Sequence, residues 1–435
     1  TFGDDAGKLD LMKSGHHVGL ASGSILEPMV DLYRYTGDAK YLNFCKYIFR
    51  AWEQENGPKI MSNLEKFGDV TKVGNAKAYE MLSCMLGIAK FYKLTGEESY
   101  YRVLRTAWTN IQSNKLYLTG TTSSFEHFKE DHILPAANDD HMGEGCVTTT
   151  WIQFNYQLFT ISADSKYMEE MERSVYNHLF AAENPVTGCV SYYTALQGAK
   201  PHKCDQGFSC CLSSIPRGIS MVPDMVWGKV NGVFSVLMYE SGEAIDSIRA
   251  ADGSSIKVAV KSESKFPFEG KLKYTINPSS AKHFAINFRV PGWCTSFTAS
   301  VNGKIYKGVA GNFLSVKRKW KPADVIIINL NIPTQIVSGG SSNPKQIAIK
   351  RGPQVLAIDL ALNPYLTAIS TVSCDTNHLI LMDAKDLLPI QWSWKQAYST
   401  ELKVNGLVEK IILVPFAEAG QYATEIGVWI NESKK

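Results

Sequence analysis

The sequence predicts a multidomain α+β protein, in which the C-terminal half of an (α/α)6 barrel is followed by a β-sandwich region. Two observations predict this fold class: a helical repeat in the first half, and a change to short β-branched runs after about residue 222. The length of 435 residues corresponds to two or three domains at roughly 150 residues each. We therefore predict a helical-hairpin toroid at 1–222, a β-sandwich at 223–335, and a further β-rich region at 336–435 that belongs to the same or a second sandwich.

The helical prediction starts from three stretches that share one pattern, at residues 32–42, 91–101 and 158–168. Each has an aromatic helix end, a break that is Thr-Gly in two of them, an acidic residue and then a tyrosine. Gly37 and Gly96 suit the position just past a helix end. The acidic residue that follows favours the positive start of the next helix. Each stretch is therefore read as a helix, a tight turn and a second helix.

A repeat period of about 60 residues is long for a solenoid and fits the hairpins of an α/α toroid. Three hairpins make half of a six-hairpin ring, and an open half would expose its inner helix faces at a cost. We therefore expect about as many helices again before Thr1, either supplied by another fragment or absent. Ser24 and Glu27 have the spacing of a capping box at the first hairpin.

After about Val222, short period-two or β-branched runs alternate with Gly, Pro and Asn, which is typical of a β-sandwich. The predicted strands are 233–239, 256–260, 284–290, 297–301, 313–316, 325–330 and 346–349. Asn302-Gly303 is a hairpin-turn pair between two of them. The Gly- and Ser-rich run at 338–342 is expected to be a loop.

The composition excludes several classes of protein. Lys plus Arg number 45 and Asp plus Glu number 42, so the formal net charge is +3, too near neutral for a dedicated nucleic-acid binder. Because no apolar run approaches the ~18 residues of a membrane helix, we expect a soluble protein without a membrane partner. The aromatic fraction of 11% is compatible with stacking walls for a sugar.

The nine cysteines do not suggest a disulfide framework, because their number is odd and the chain is long. Cys45 and Cys84 lie in apolar helical runs and are expected to be buried small hydrophobic residues. Polar, glycine-containing sequence surrounds a different group: Cys146, Cys204, Cys210 and Cys211.

Glu144 and Cys146 are two positions apart, a spacing that can direct a carboxylate and a thiol toward one centre. Cys210 and Cys211 supply two adjacent thiols. One oxygen and three sulfurs make a reasonable tetrahedral zinc shell, although the C-x-x-C spacing of strong zinc motifs is lacking. The alternative is four unrelated groups with the adjacent pair buried and reduced. Zinc would keep sulfur as thiolate, its nucleophilic form.

Other polar residues have more than one interpretation each. Glu126 lies among aromatic residues, which tends to raise the pKa of a carboxyl and suits a general acid, but it can equally be an ordinary surface residue. His141 is a ligand, a substrate donor or a structural histidine, and His17 and Tyr193 carry the same ambiguity. Arg217 either neutralises nearby negative charge or is solvated.

Taken together, these residues resemble the β-L-arabinofuranosidase family of glycoside hydrolases, of the family 127 type, once grouped as a bacterial family of unknown function. The matching stretches are His17-Val-Gly-Leu, Leu26-Glu-Pro-Met-Val-Asp-Leu-Tyr-Arg-Tyr-Thr-Gly37, Lys77-Ala-Tyr-Glu-Met-Leu82, Ser124-Phe-Glu126, His141-Met-Gly-Glu-Gly-Cys146, Cys210-Cys211, Pro216-Arg-Gly218, Phe288-Arg-Val-Pro-Gly-Trp293, Val301-Asn-Gly303 and Arg351-Gly-Pro353.

The resemblance implies an (α/α)6 catalytic barrel with β-sandwich material, and retaining hydrolysis with a zinc-bound cysteine as the nucleophile. It makes Cys210 the nucleophile and Glu126 the acid/base residue. It also implies that Zn²⁺ is held by Glu144, Cys146, Cys210 and Cys211.

By the same resemblance, His17, His141 and Tyr193 contact the substrate. That substrate would be an L-arabinofuranoside or a related pentose residue of a plant-type glycan, in the bacterial periplasm or outside the cell. Gly145 and the Leu212-Ser-Ser214 run depart from the family's pattern, which would alter the surface that faces the sugar while leaving the metal ligands in place. Two other functions stay open, a non-catalytic glycan-binding protein with structural zinc and a polysaccharide lyase.

Overall fold

The structure, a computed structural model, describes residues 1–433 except 206, 208, 376–378 and 394. Helices fill the first half of the chain and strands the second, so the protein is a mixed α+β molecule with a helical N-terminal part and a β-rich C-terminal part. Among the described residues, none of the helices combines the length and apolar character that crossing a bilayer requires.

The helices have the following bounds: α1 Leu20–Gly23, α2 Leu26–Thr36, α3 Ala39–Trp52, α4 Ile60–Phe67, α5 Ala78–Thr95, α6 Glu98–Asn114, α7 Gly145–Ser162, α8 Ser165–Ser174, α9 Cys210–Ser220 and α10 Val222–Val226. A π-helical turn, Val175–Leu179, continues α8. Short 3-10 turns lie at Met12–Ser14, Val70–Lys72, Asn138–Asp140, Leu360–Leu362, Ile369–Thr371 and Lys385–Leu387.

The three predicted hairpins are confirmed as α2–α3, α5–α6 and α7–α8. Gly37 and Gly96 end the first helix of their hairpins with φ of 70° each, the left-handed conformation that glycine adopts without strain. Asp38 and Asp164 cap α3 and α8 by accepting backbone N–H bonds two residues further on. Local sequence therefore sets where each hairpin turns.

The capping box predicted at the first hairpin is wrong. Ile25 occupies the N-cap position of α2 and makes no side-chain cap bond. The Ser24 hydroxyl instead donates to the Ala21 carbonyl at 2.7 Å. Because α1 runs directly into α2, the backbone is already helical there and offers no extended N-cap residue.

The helices form two layers. Helices α2, α5, α7 and α9 pack side by side in that order, and α3, α6 and α8 each pack against one of them, α2, α5 and α7 respectively. Helices α5 and α7 are apolar on most of their surface because they are covered from several directions. Helices α5, α7 and α9 begin at residues that lie together in the candidate site described below.

The strands have the following bounds: β1 Gln197–Gly198, β2 Trp227–Val230, β3 Val233–Val236, β4 Gly242–Arg249, β5 Ser255–Glu263, β6 Lys271–Pro278, β7 Lys282–Arg289, β8 Phe297–Val301, β9 Lys304–Lys307, β10 Phe313–Trp320, β11 Asp324–Leu330, β12 Thr334–Ser338, β13 Gln346–Arg351, β14 Gln354–Asp359, β15 Val372–Cys374, β16 Met382–Asp383, β17 Tyr398–Val404, β18 Leu407–Pro415, β19 Ile426–Gly427 and β20 Ile430–Glu432.

Each predicted strand coincides with one of these. The strands form a four-stranded sheet ordered β10-β7-β3-β2, a six-stranded sheet ordered β4-β5-β6-β11-β8-β9, and a larger sheet from β12 onward. Asn302 and Gly303, with φ of 50° and 80°, form the β8–β9 turn as predicted. The four- and six-stranded sheets share one core, in which the Tyr274 and Phe288 rings lie 5.4 Å apart.

The larger sheet also includes β1 from the helical half, which pairs with β19. A second hydrophobic cluster joins this sheet to residues that precede α7, among them Tyr117 and Met142. The segment that leads into the candidate site is therefore packed against the C-terminal sheet.

Candidate metal and catalytic site

The candidate site lies where α5, α7 and α9 begin. Lys77 and Glu144 occupy the N-cap positions of α5 and α7, and Cys146 lies in the first turn of α7. Cys210 and Cys211 are the first two residues of α9. Because the start of a helix carries partial positive charge, it favours carboxylates and thiolates there.

The structure brings the four predicted metal ligands together. One ligand atom from each of Glu144, Cys146, Cys210 and Cys211 lies within 4.8 Å of the other three. The Cys146 and Cys211 sulfurs are 3.6 Å apart, and the Cys210 sulfur is 3.9 Å from Glu144 Oε1. Cys210 is exposed, whereas the other three are buried.

Little around this cluster balances its charge. Among the described residues, no Lys or Arg forms an ion pair with Glu144, and its buried Oε2 has no hydrogen-bond donor. Burial, together with the charges of Glu126 and Cys210, raises the pKa of Glu144 to about 8. Hydrogen bonds from the Cys146 and Cys211 thiols hold the pKa of Cys210 well below its usual range.

The donor set fits a zinc ion. Three sulfurs and one carboxylate oxygen are ligands that Zn²⁺ accepts in tetrahedral sites. The orphaned Glu144 oxygen and the lack of a paired cation are expected of a site that binds a metal. A buried polar contact supports the set, because the Cys146 sulfur lies 3.2 Å from the Ser214 hydroxyl.

Cys204 does not belong to this cluster. It forms a disulfide with Cys189, so its grouping with the other three cysteines was wrong. Its polar, glycine-containing surroundings gave no reason to separate it from them, because the partner is 15 residues away along the chain. Cys45 and Cys84 are fully buried, which confirms that prediction.

Glu126 lies in a turn before α7 with φ of 65°, and its carboxylate is held on both oxygens. Lys77 Nζ donates to Oε2. The Tyr192 and Tyr193 hydroxyls donate to Oε1 at 2.8 and 2.9 Å. The predicted acid/base residue is therefore a fixed carboxylate with about a quarter of its side chain exposed.

The sequence-based expectation of a raised pKa for Glu126 is wrong. Burial does push its pKa upward, but hydrogen bonds from Lys77, Tyr192 and Tyr193 outweigh burial and leave the pKa below the usual value. The aromatic residues that surround the carboxyl are tyrosines that donate to it, and they stabilise its charged form.

Tyr192 and Lys77 are site residues that the sequence analysis missed. The Tyr192 hydroxyl contacts both Glu126 and the Cys210 sulfur, the latter at 3.6 Å. Lys77 has only 8% of its side chain exposed. The sequence did contain a signal for each: Tyr192 adjoins the predicted Tyr193, and Lys77 begins one of the stretches that carry the family resemblance.

His17 lies beside the start of α5 and the loop that precedes it. Asn75 Nδ2 is 3.2 Å from its Nδ1, and Glu80 Oε1 is 3.8 Å from its Nε2. An amide N–H can only donate, so Nδ1 accepts and the ring proton lies on Nε2, facing Glu80. Burial lowers the pKa of His17, which favours this neutral form.

His141 and Tyr193 form a stacked aromatic pair, with ring centroids 4.8 Å apart and an angle of 13° between the planes. Phe125 lies 4.8 Å from the His141 ring on the same surface. Because Tyr193 also bonds to Glu126, this wall places stacking faces next to the carboxylate. His141 does not join the metal cluster.

A cleft of about 440 Å³ opens beside these residues, lined by Tyr192, Tyr193, Pro201, Lys203 and Asp205. Its far wall is the loop that the Cys189–Cys204 disulfide holds. A space of this size accommodates a small ligand next to the carboxylate.

Arg217 lies on α9 near the cluster and donates to the Ser214 hydroxyl at 3.2 Å, whose oxygen in turn contacts Cys146. It therefore touches the cluster through one intervening side chain and is neither a ligand nor fully solvated.

Comparison with known proteins adds to this geometry. Residues 9–224 match the model of the β-L-arabinofuranosidase GH127 catalytic domain, and residues 245–332 match that of the GH127 middle domain. The chain belongs to the GH127 family. This is a family of glycosidases, and the recognition from sequence is confirmed.

One curated relative is the non-reducing end β-L-arabinofuranosidase of Bifidobacterium longum subsp. longum. It is 24% identical over 410 residues, which are 84% of this chain and 60% of the relative. The chain therefore spans only about 60% of that relative's length.

Solved structures share the fold. A β-L-arabinofuranosidase from Geobacillus stearothermophilus T6 aligns with a TM-score of 0.78 at 19% identity, covering 100% of this chain and 74% of the other. A structure described as a glycoside hydrolase aligns with a TM-score of 0.80 at 19% identity, covering 96% and 76%.

Proposed function

We propose that this GH127 protein is a retaining glycoside hydrolase that acts on L-arabinofuranosides or related pentose residues of plant-type glycans. The observation that carries the proposal is the placement of Glu126 beside the cluster, with Tyr192 in contact with both Glu126 and Cys210. A proton donor and a sulfur nucleophile then face one space. The curated relative that resembles the chain is named for this activity.

The proposal also covers the type of helical and sheet domain and the domain bounds. The two helix layers are taken as part of an (α/α)6 barrel, and the four- and six-stranded sheets as a β-sandwich. The proposed domains remain 1–222, 223–335 and 336–435. The alternation of the inner helices α2, α5, α7 and α9 with outer helices supports this view.

The proposed cofactor is Zn²⁺, held by Glu144, Cys146, Cys210 and Cys211. When bound, it keeps the thiols deprotonated and so supplies Cys210 as a thiolate. Cys210 is the proposed nucleophile because it is the exposed member of the set.

In the first step, the Cys210 sulfur forms a bond to the anomeric carbon while the bond from that carbon to the leaving oxygen breaks. Glu126 gives its proton to that oxygen. In the second step, Glu126 takes a proton from water, the water oxygen bonds to the anomeric carbon, and the sulfur leaves. Two inversions give net retention.

The hydrogen bonds to Glu126 suit these two roles unequally. Lys77 and the two tyrosines stabilise the ionised carboxylate, which is the form that activates water in the second step. The first step needs the protonated form, which a lowered pKa makes scarce at neutral pH. Cleavage should therefore be favoured in acidic solution.

His17, His141 and Tyr193 are the proposed substrate contacts. The Nε2–H of His17 is available to a sugar hydroxyl, and the stacked His141–Tyr193 pair offers a face for the sugar ring or for the group that leaves. The adjoining cleft gives room for the rest of the substrate.

We also propose a periplasmic or extracellular location. The Cys189–Cys204 disulfide supports it, because structural disulfides persist in oxidising compartments. Metal ligation would protect the three cluster thiols there.

Two variants test the proposal: Glu126→Gln and Cys210→Ser, assayed for release of arabinose from arabinofuranosides. Each should lower turnover by about 100-fold to 10,000-fold, with the fold of Glu126→Gln retained. The matched controls lie outside the site. Glu130→Gln changes an exposed carboxylate and Cys294→Ser changes a buried free thiol, and both variants should keep activity.

Near-wild-type activity in Glu126→Gln or Cys210→Ser would overturn the assigned roles. Sugar binding without turnover in the wild type would favour a non-catalytic glycan-binding protein. Products with an unsaturated ring, detected by ultraviolet absorbance, would favour a polysaccharide lyase.

A further inference from the structure

Helix α8 ends in a π-helical turn, Val175–Leu179, whose residues are all buried. Such turns are rare and occur often at functional sites, because the extra residue per turn redirects side chains. Here it directs Asn177 and His178, which are consecutive, to two different parts of the protein. Neither residue was singled out by the sequence analysis.

His178 is fully buried and both ring nitrogens have partners. Nε2 lies 3.2 Å from the Gly143 carbonyl oxygen, and Nδ1 lies 3.0 Å from the Thr119 hydroxyl. A carbonyl can only accept, so Nε2 carries the proton and Nδ1 accepts from Thr119. The ring is a neutral bridge between the Gly143 backbone carbonyl and the Thr119 side chain.

The backbone conformation of Gly143 and the lack of a side chain there allow this contact. Its φ of 65° is left-handed, and a Cβ placed there would lie 2.3 Å from His178 Nε2. A side chain at this position would therefore displace the imidazole. Gly143 directly precedes Glu144, so the bond to its carbonyl fixes the peptide from which the proposed metal ligand starts.

The second segment leads from Thr119 to Glu126. It pairs with the first segment, since Gly143 N–H donates to Ser123 O at 3.1 Å and Phe125 N–H donates to the His141 carbonyl at 3.1 Å. His178 contacts both segments, one ahead of the acid/base residue and the other ahead of the metal ligand. The His178 side chain thus links the segment that leads to Glu126 with the segment that leads to Glu144.

Asn177 anchors the same turn from the other side. Its Oδ1 accepts the Val355 N–H at 2.7 Å, and its Nδ2 donates to the Pro353 carbonyl at 2.9 Å. Both partners lie at the turn between β13 and β14 in the C-terminal sheet. The sheet therefore holds the π-turn in place, and the π-turn holds the segment that carries Glu144.

We propose that His178 is a positioning residue: its Nε2–H bond to the Gly143 carbonyl presents Glu144 to the three thiols and so sets the metal affinity of the site. This inference rests on the metal site of the proposed function.

The test compares three variants of the full chain by Co²⁺ titration of reduced, metal-free protein, followed by thiolate-to-cobalt absorption. His178→Gln keeps an amide donor at about the position of Nε2. His178→Asn places its amide near the position of Nδ1 and loses that donor, and His178→Leu loses both contacts. Co²⁺ affinity should fall about 10-fold to 100-fold in the Asn and Leu variants and clearly less in the Gln variant.

Asn155→Leu is the matched control. Asn155 is fully buried on α7, and its Oδ1 accepts the Trp108 indole N–H at 2.7 Å. The variant loses a buried hydrogen bond in the same helical part, so its melting temperature should fall while its Co²⁺ affinity stays unchanged.

Three results would overturn the inference: unchanged affinity in His178→Asn, equal losses in the Gln and Asn variants, or an equal loss in Asn155→Leu. If the wild type binds no Co²⁺, the proposed metal site fails and so does the effect on affinity, and hydrogen exchange of residues 119–127 and 140–146 then decides the remaining part of the inference, that His178 positions the two segments. Faster exchange in His178→Asn than in His178→Gln would support it, and equal exchange would contradict it.

Discussion

Two carboxylates on adjacent helices of this protein are buried almost completely but are balanced in different ways. Glu172 on α8 is 1% exposed and pairs with Arg289 of β7, which is 0% exposed. The Trp293 indole donates to its other oxygen at 2.8 Å, and Arg289 Nε donates to the Leu237 carbonyl at 2.7 Å. This pair joins the helical part to the sheets.

Glu144 at the start of α7 is 2% exposed and has no such partner among the described residues. Three thiols surround it instead. A buried carboxylate without a cation costs several kcal/mol, so it either holds a proton or waits for a positive ligand. The comparison therefore separates a carboxylate with a structural role from one that is placed to bind a metal. Glu126, paired with Lys77 but partly exposed, is intermediate.

The largest effect is expected from Arg289→Met. It leaves Glu172 buried and unpaired, so the free energy of unfolding should fall by about 3–5 kcal/mol in urea titrations. The exposed pair Arg102–Glu65 offers the control, since Arg102→Met should cost less than about 1 kcal/mol. Equal, small losses in both variants would remove the basis of the comparison.

An effect of the opposite sign is expected from Glu144→Gln in metal-free protein: near neutral pH the free energy of unfolding of the variant should equal or exceed that of the wild type, because the glutamine is buried without having to take up a proton. The pKa of Glu144 is raised from 4.5 to about 8 by folding. Between these two pH values the folded state holds a proton that the unfolded state has lost. The stability of the wild type should therefore fall as pH rises through the window, and the variant should lack this component.

A loss in Glu144→Gln as large as that in Arg289→Met would mean that Glu144 already has a stabilising partner without metal. Urea titrations at several pH values, with and without added zinc, distinguish these cases. With zinc present, the variant should lose stability relative to the wild type, because it gives up one ligand.

The smallest effect is expected at Glu126, the partly exposed carboxylate that pairs with Lys77. Lys77→Met removes the cation that stabilises ionised Glu126, so the pKa of Glu126 should rise. The proton donor then survives to higher pH, and the alkaline limb of the kcat/KM profile should move upward. Lys46→Met, on the exposed face of α3, should leave the limb where it is. A limb that stays in place or moves down in Lys77→Met would contradict the acid role of Glu126.

Features set by local chemistry could be predicted from the sequence. The hairpin turns follow from Gly37 and Gly96, and the β8–β9 turn from Asn302-Gly303, because these residues tolerate positive φ. Several strands that alternate or are rich in β-branched residues were also found, but β6, which alternates cleanly, was missed. Strand β4, largely exposed, was missed because its charged residues hide the alternation.

Features set by distant parts of the chain could not be predicted. Tyr192 reaches Glu126 from 66 positions away, and the hydrogen bonds from Lys77, Tyr192 and Tyr193 together reverse the expected direction of the Glu126 pKa. The Cys189–Cys204 disulfide and the bridge made by His178 depend on which segments pack together. Glu144 and Cys146 could be recognised as possible ligands from their spacing alone. Both lie at the start of the same helix, so the prediction does not depend on which distant segments pack together.

The most direct test of the proposed site is zinc per chain, measured by elemental analysis in the purified wild type and in Cys146→Ser, with Cys294→Ser as the control. We predict nearly one zinc per chain in the wild type and the control, and a loss of zinc in Cys146→Ser. A folded, reduced wild type without zinc, or a Cys146→Ser variant that keeps it, would contradict the assignment of these four residues as a metal site.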